Sequence, residues 1–177
     1  WTPMGTDTKP YTGTFDGNGK ALTGFRTSAT ENNTGLFGVV NGGTVKNFSL
    51  DGGIIVNTAD KIHIGSVAGA AKGGAVFSGI QSSVAITGNA VVAKHVGGIV
   101  GSSQFGSGGL LLEKCTFNGS ISALKSGDCI GGILGYANYG VTIRDCASTG
   151  QVYGESGALY VGGILGYINS ASFGGIT

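Results

Sequence analysis

The sequence predicts an all-β fold, a parallel β-solenoid of about five coils with 31–34 residues in each. Three observations lead there. A glycine-aliphatic phrase returns at a near-constant interval: TGLFG ends at Gly38, IGSVAG at Gly69, VGGIVG at Gly101, IGGILG at Gly135 and VGGILG at Gly166. A second, apolar-alternating phrase follows the first four, beginning at Val45, Phe77, Leu112 and Ile143. Glycine supplies 37 of the 177 residues, and at roughly 1 kcal/mol per helical position relative to alanine that content excludes long helices. A strand-and-turn unit of this period cannot bury its apolar face alone, but stacked copies bury a continuous core.

Each segment follows from that plan. Residues 1–30 read as a partial first coil or cap, with the turn chemistry of Asp-Gly-Asn-Gly inside TGTFDGNGK. Residues 31–177 hold the repeated coils, so that 1–177 is a single solenoid domain. Alignment of the second phrase gives ladders: Val45, Phe77, Leu112 and Ile143 in one column, and Phe48, Ile80, Cys115 and Cys146 three residues on. A third column holds Ile54, Ile86, Ile121 and Val152. Successive coils should sit about 4.8 Å apart. Glycines serve bends that need positive φ and places where backbones approach closely. The adjacent apolars Ile99 and Val100 break strand alternation. Either a bend lies there or one row is exposed.

Composition removes several function classes. Only 11% of residues are charged and the net charge is +1, with Lys and Arg scattered singly, so no basic stripe is present to bind nucleic acid. Hydrophobic residues make up 41% of the chain, too many for a disordered segment. The apolar runs fall far short of the roughly 20 residues that a bilayer span needs. Three cysteines without a C-x-x-C pair make neither a disulfide framework nor a standard zinc site.

The strings WTPMG, YTGTFDGNGKALTGF, GLFG, VGGIVG and IRDCASTGQV, in that order, resemble the bacterial GLUG-motif repeat proteins. The resemblance covers nearly the whole chain. It implies a right-handed parallel β-helix and a glycine-rich, adhesin-like, extracellular protein of the bacterial cell surface. Such repeats also stand beside the protease domain of some metallopeptidases, where they are not the catalytic part. Met4 replaces the usual Ile, IGSVAG replaces the glycine pair, and GIQSSVAI lacks the Asn-Cys step. These departures mark one degenerate coil around residues 62–90. The closing YINSASFGGIT parallels YANYGVTIR and stops where a further coil would begin. The chain therefore reads as a fragment of a longer surface protein with further domains.

Candidate chemistry is sparse. The nine acidic residues, Asp60, Asp128 and Glu155 among them, place no two in one column on adjacent coils. The paired carboxylates of a glycosidase are therefore not visible. Glu113 aligns beside Arg144 and Lys114 beside Asp145, as cross-strand charge pairs. His63, His95 and Cys129 share a column that Tyr160 continues. These donors suit zinc, but a straight ladder does not converge on one ion, so no metal is expected. DGNGK has the outline of a calcium loop, yet Lys20 sits at a ligand place and Thr27 replaces the closing Glu. No H-E-x-x-H, P-loop or G-x-S-x-G string occurs, and no cofactor is expected. Cys115 and Cys146 read as buried thiols, because stacked parallel neighbours fit disulfide geometry poorly.

One aromatic feature carries the functional expectation. Tyr136 and Tyr167 end successive phrases, with Tyr139 and Tyr153 near the same end. They form either a platform for a glycan or partner protein, or a ladder that covers the sheet. The expected function is a non-catalytic surface module, adhesin-like or stalk, that binds a glycan or a host or neighbour-cell protein through Tyr136, Tyr167 and Tyr139. A polysaccharide-active lyase or hydrolase is the alternative. An ice-binding solenoid ranks last, because Thr14, Thr44, Thr87, Thr116, Thr142 and Thr149 do not form one regular column.

Overall fold

The computed structural model describes residues 1–29, 31–57, 61–88, 93–104, 108–122, 129–154, 157–169 and 174–177. Asp60, Asp128 and Glu155 lie outside the described residues. Among those described, the strands build a parallel β-solenoid of four sheets around one core. In one pass, Thr44–Asp51 lies in sheet I, Ile54–Asn57 in sheet II, Lys61–Gly65 in sheet III and Ala68–Lys72 in sheet IV. The next pass repeats the order with Val76–Ser82, Ala85–Gly88, Ala93–Gly97 and Val100–Ser103. Each strand pairs in parallel with its counterparts one pass away. The described part of the segment 62–90, residues 62–88, pairs with both neighbours like the rest, despite its departures from the repeat pattern.

Sheet I explains why its core positions are three residues apart. A regular strand points residues i and i+3 to opposite faces, yet Val45 is fully buried and Phe48 is 6% exposed. Between them Asn47 has φ of 58°. This left-handed residue turns the strand and returns Phe48 to the core. Gly79, Lys114 and Asp145 hold the same position in later passes, with φ of 63°, 53° and 53°. Around this kink, Val45, Phe77, Leu112 and Ile143 stand in register. Phe15 precedes and Ile176 follows them. Phe48 pairs with Ile80, and Cys115 and Cys146 occupy the equivalent position in the next two passes. Burying each of the large apolar members contributes on the order of 1.5–3 kcal/mol.

One column differs from the alignment. Ile86 pairs with Ile121 on one side and with Ile55, not Ile54, on the other. Leu50 pairs with Ser82 and Ile55 with Ile86, so this pass has one more corner residue than the next. Gly52 and Gly53, at φ of 70° and 99°, take up the extra residue.

The recurring glycine phrase forms the corner between sheets III and IV. Ile99 and Val100 are both fully buried, and both their N–H groups donate to the Ile133 carbonyl, at 3.1 and 3.0 Å. A bend therefore places both apolars inside, and the exposed-row reading falls. Past the bend the two sheets lie backbone to backbone. A Cβ on Gly101 would sit 2.7 Å from the Ile64 amide nitrogen, and one on Gly135 2.6 Å from that of Val96. Only glycine permits that contact.

At the start of the chain, Met4, Gly5 and Tyr11 bond along the strand Phe37–Asn41 of sheet IV. Trp1 donates its indole N–H to the Leu36 carbonyl at 2.9 Å and meets the Phe25 ring edge-on. On the outer face of sheet I, Thr14, Thr44 and Thr142 share a column interrupted by Val76 and Leu111. No flat threonine array results there.

Candidate functional site

The sheet III–IV bend brings together side chains that lie on either side of the glycine phrase. His63, His95, Cys129 and Tyr160 follow one another on successive strands of sheet III, and Asn33 precedes them. Sheet IV aligns Val39, Ala70, Ser102, Tyr136 and Tyr167. The rings then form one run across both sheets. His63 stacks on His95 at 4.7 Å, and His95 on Tyr136 at 4.1 Å with planes only 6° apart. Tyr136 stacks on Tyr167 at 5.8 Å, and Tyr167 meets Tyr160 at 4.4 Å.

This stacking decides what the site offers. Tyr136 has His95 on one face and Tyr167 on the other, so its ring edge and hydroxyl, not a free face, are presented. The 44%-exposed Tyr160 ends the run. Where Ala70 and Ser102 take the place of a tyrosine, space opens beside the imidazoles. A groove of about 430 Å³ results, lined by His63, His95, Ser102, Ser103, Gln104, Tyr136 and Asn138. Its rim is ordered by hydrogen bonds: the Asn138 N–H donates to Ser103 Oγ at 3.2 Å, and Asn169 Nδ2 to Asn138 Oδ1 at 3.3 Å. Tyr139 is 44% exposed, and its N–H reaches Ser103 Oγ at 3.4 Å. It belongs to the rim and not to the groove lining.

The inner imidazole of the groove is uncharged. Burial, reinforced by His95 and Lys94, lowers the His63 pKa to about 3, so this imidazole is uncharged at neutral pH. Burial also raises Tyr136 above the usual phenol value, against the opposing hydrogen bond of Asn169. The Nδ1 atoms of His63 and His95 are 2.9 Å apart, one donating to the other. Among the described residues no group of three or more His, Cys, Asp and Glu gathers to hold a metal ion. Cys129 is buried next to His95 in register.

Two features of the outer surface were not read from the sequence. Lys46 Nζ reaches Asp16 Oδ2 at 3.4 Å, and Asn47 donates to Asp16 Oδ1 at 3.2 Å. Their columns place first and second passes side by side, a step that the phrase alignment did not include. Beside them lies a wider groove of about 610 Å³, lined by Asn18, Asn47, Ser49, Gln81 and neighbouring glycines. Glu113 and Arg144 form a charge-assisted hydrogen bond on the same sheet.

Fold and surface together define a parallel β-solenoid repeat module with an aromatic face. Comparison with protein-family models, with curated proteins and with solved structures returned no match. No helix of the described residues is long and apolar enough to cross a membrane.

Proposed function

We propose that this chain is a non-catalytic, adhesin-like module of the bacterial cell surface, of the GLUG-repeat kind, and that the groove beside His95 and Tyr136 takes a neutral glycan. The observation that carries the proposal is the ring run flanking a groove of hydroxyls and amides. The rings wall the groove, the Tyr136 hydroxyl can donate to and accept from a sugar hydroxyl, and Ser102, Ser103, Gln104 and Asn138 offer further donors and acceptors. The neutral His63 and Tyr136 favour an uncharged ligand over an anionic one.

A glycan array probed with the wild type, Tyr136→Ala and Gln104→Ala tests this reading. Either substitution should weaken the leading glycan at least about tenfold, the effect of losing one good contact. Binding unchanged in both variants rejects the groove. A parallel screen for polysaccharide cleavage addresses the enzymatic alternative, and turnover of any polymer would replace the binding reading with a catalytic one.

A further inference from the structure

We propose that Asp7, Glu31 and Asn33 hold a hard divalent cation of calcium's size in the pocket between the N-terminal segment and the first pass of the solenoid. The pocket is about 240 Å³, and its lining includes Thr2, Thr6, Asp7, Glu31 and Asn33. Its inner wall is Asn33, which is 94% buried, since only 6% is exposed. Asn33 Nδ2 donates to Asp7 Oδ2 at 3.0 Å. That bond fixes which way the amide points, because a flipped amide would set two oxygens against each other. The remaining atom, Asn33 Oδ1, is buried and has no hydrogen-bond partner among the described residues. Such orphaned acceptors are rare in folded proteins and call for a ligand.

The chemistry of that ligand follows from the donor set. A carbonyl and two carboxylates only accept, so the ligand is a cation or a hydrogen-bond donor. The side-chain groups in the lining contribute oxygen and amide donors, without imidazole or thiolate, which excludes zinc's usual partners. The ion pairs among the described residues engage Asp16 and Glu113, not Asp7 or Glu31. A divalent ion balances both carboxylates, whereas a single ammonium leaves one negative charge over. Calcium takes six to eight oxygens and accepts amide carbonyls, hydroxyls and water beside carboxylates. At roughly 30 Å³ per water, the pocket has room for the ion with several of its waters. The consequence is mechanical. Asp7 belongs to the segment that bonds along sheet IV, and Glu31 and Asn33 to the turn and edge strand of sheet III. One ion would tie the two together.

Trp1, the single tryptophan, sits on that segment and reports on it by fluorescence. Calcium chloride titrated into the 177-residue chain, at ionic strength held constant with sodium chloride, should give a saturable change and a rise in Tm. Half-saturation is expected between about 0.1 and 1 mM, the range of exposed sites with few carboxylates. The double variant Asp7→Asn/Glu31→Gln should weaken the response at least about tenfold, and Asn33→Asp should lower Tm in EDTA and recover it with calcium. No saturable response in the wild type up to about 10 mM, or equal affinity in the double variant, overturns the site. So does a response to ethylammonium at the same concentrations as to calcium, which would assign the pocket to an amine.

Discussion

His63 and His95, on successive passes of sheet III, meet with Nδ1 atoms 2.9 Å apart and rings nearly parallel. Burial, with His95 and Lys94 beside it, lowers the His63 pKa from 6.5 to about 3. The unfolded chain takes up a proton near 6.5 that the folded chain refuses until about 3. Stability is therefore lost as pH falls through that interval, by at most about 1.4 kcal/mol per pH unit for one proton. Asp16 and Glu113, whose pKa values lie below 3.8 and 4.5, lose their contributions only at lower pH. The span from pH 6.5 to 5 therefore lies above both carboxylate transitions. In His63→Asn the groups packed around the site, His95, Lys94, Cys129 and Tyr136, are kept, and the new residue is the type that Asn33 supplies one pass below. Urea unfolding at pH 7, 6 and 5 should show a shallower pH dependence in the variant. Equal slopes would mean that His63 charges in the folded protein.

The glycine phrase makes a sharper structural prediction. Gly135→Ala forces a Cβ to within 2.6 Å of the Val96 amide nitrogen. The obstacle is backbone in a paired sheet, which cannot yield cheaply, so a loss of about 2–3 kcal/mol is expected in equilibrium unfolding. Gly163 belongs to the last copy of the same phrase, and a Cβ there would meet nothing within 4 Å. Gly163→Ala should change stability by less than about 0.5 kcal/mol. Similar losses at the two positions would show that the glycines serve flexibility and not close approach.

Lys114 is the residue of its column least suited to its backbone. Its φ of 53° matches those of Asn47, Gly79 and Asp145, but a long side chain pays more for the left-handed region than Asn, Asp or Gly. Lys114→Asn should therefore stabilise the protein by roughly 0.5–1 kcal/mol. A calorimetric Tm at or below that of the wild type would contradict this account of the kink.

What the sequence makes legible is whatever repeats on one face. The passes share their inward positions, so Leu112 and Ile143 can be placed side by side by alignment alone, and the structure pairs them. What it conceals depends on direction changes within a pass. Asn47 and Lys114 share a left-handed conformation without sharing a chemistry, so the kink leaves no common letter. The extra corner residue at Gly52–Gly53 shifted Ile54 out of a column that Ile55 fills. The aromatic run is hidden for a related reason. His95 stands before the bend and Tyr136 after the bend of the next pass, and alignment treats them as two separate ladders. Only the close approach permitted by glycines such as Gly101 and Gly135 folds those ladders together. Asn33 Oδ1 could not be anticipated either, because its lack of a partner depends on the Asp7 contact.

Cys115 and Cys146 occupy the same inward position on adjacent passes, yet they should differ in reactivity. Both are free thiols, Cys115 buried and Cys146 partly exposed. The Cys115 N–H points at Cys146 Sγ at 3.4 Å, and the Cys115 thiol also bonds to that sulfur. Together these favour a thiolate at Cys146 and hold its pKa below the usual thiol value, while the same interaction and burial push Cys115 up. A thiolate, not a thiol, attacks alkylating reagents. Iodoacetamide at pH 7.5 on the folded protein should therefore modify Cys146 first, with Cys115 and the buried Cys129 reacting on unfolding. Peptide mapping by mass spectrometry after partial alkylation reads the order. The rate at Cys146 should level off at lower pH than that of a free cysteine. Modification of Cys115 ahead of Cys146 would reverse the assignment of donor and acceptor in the pair.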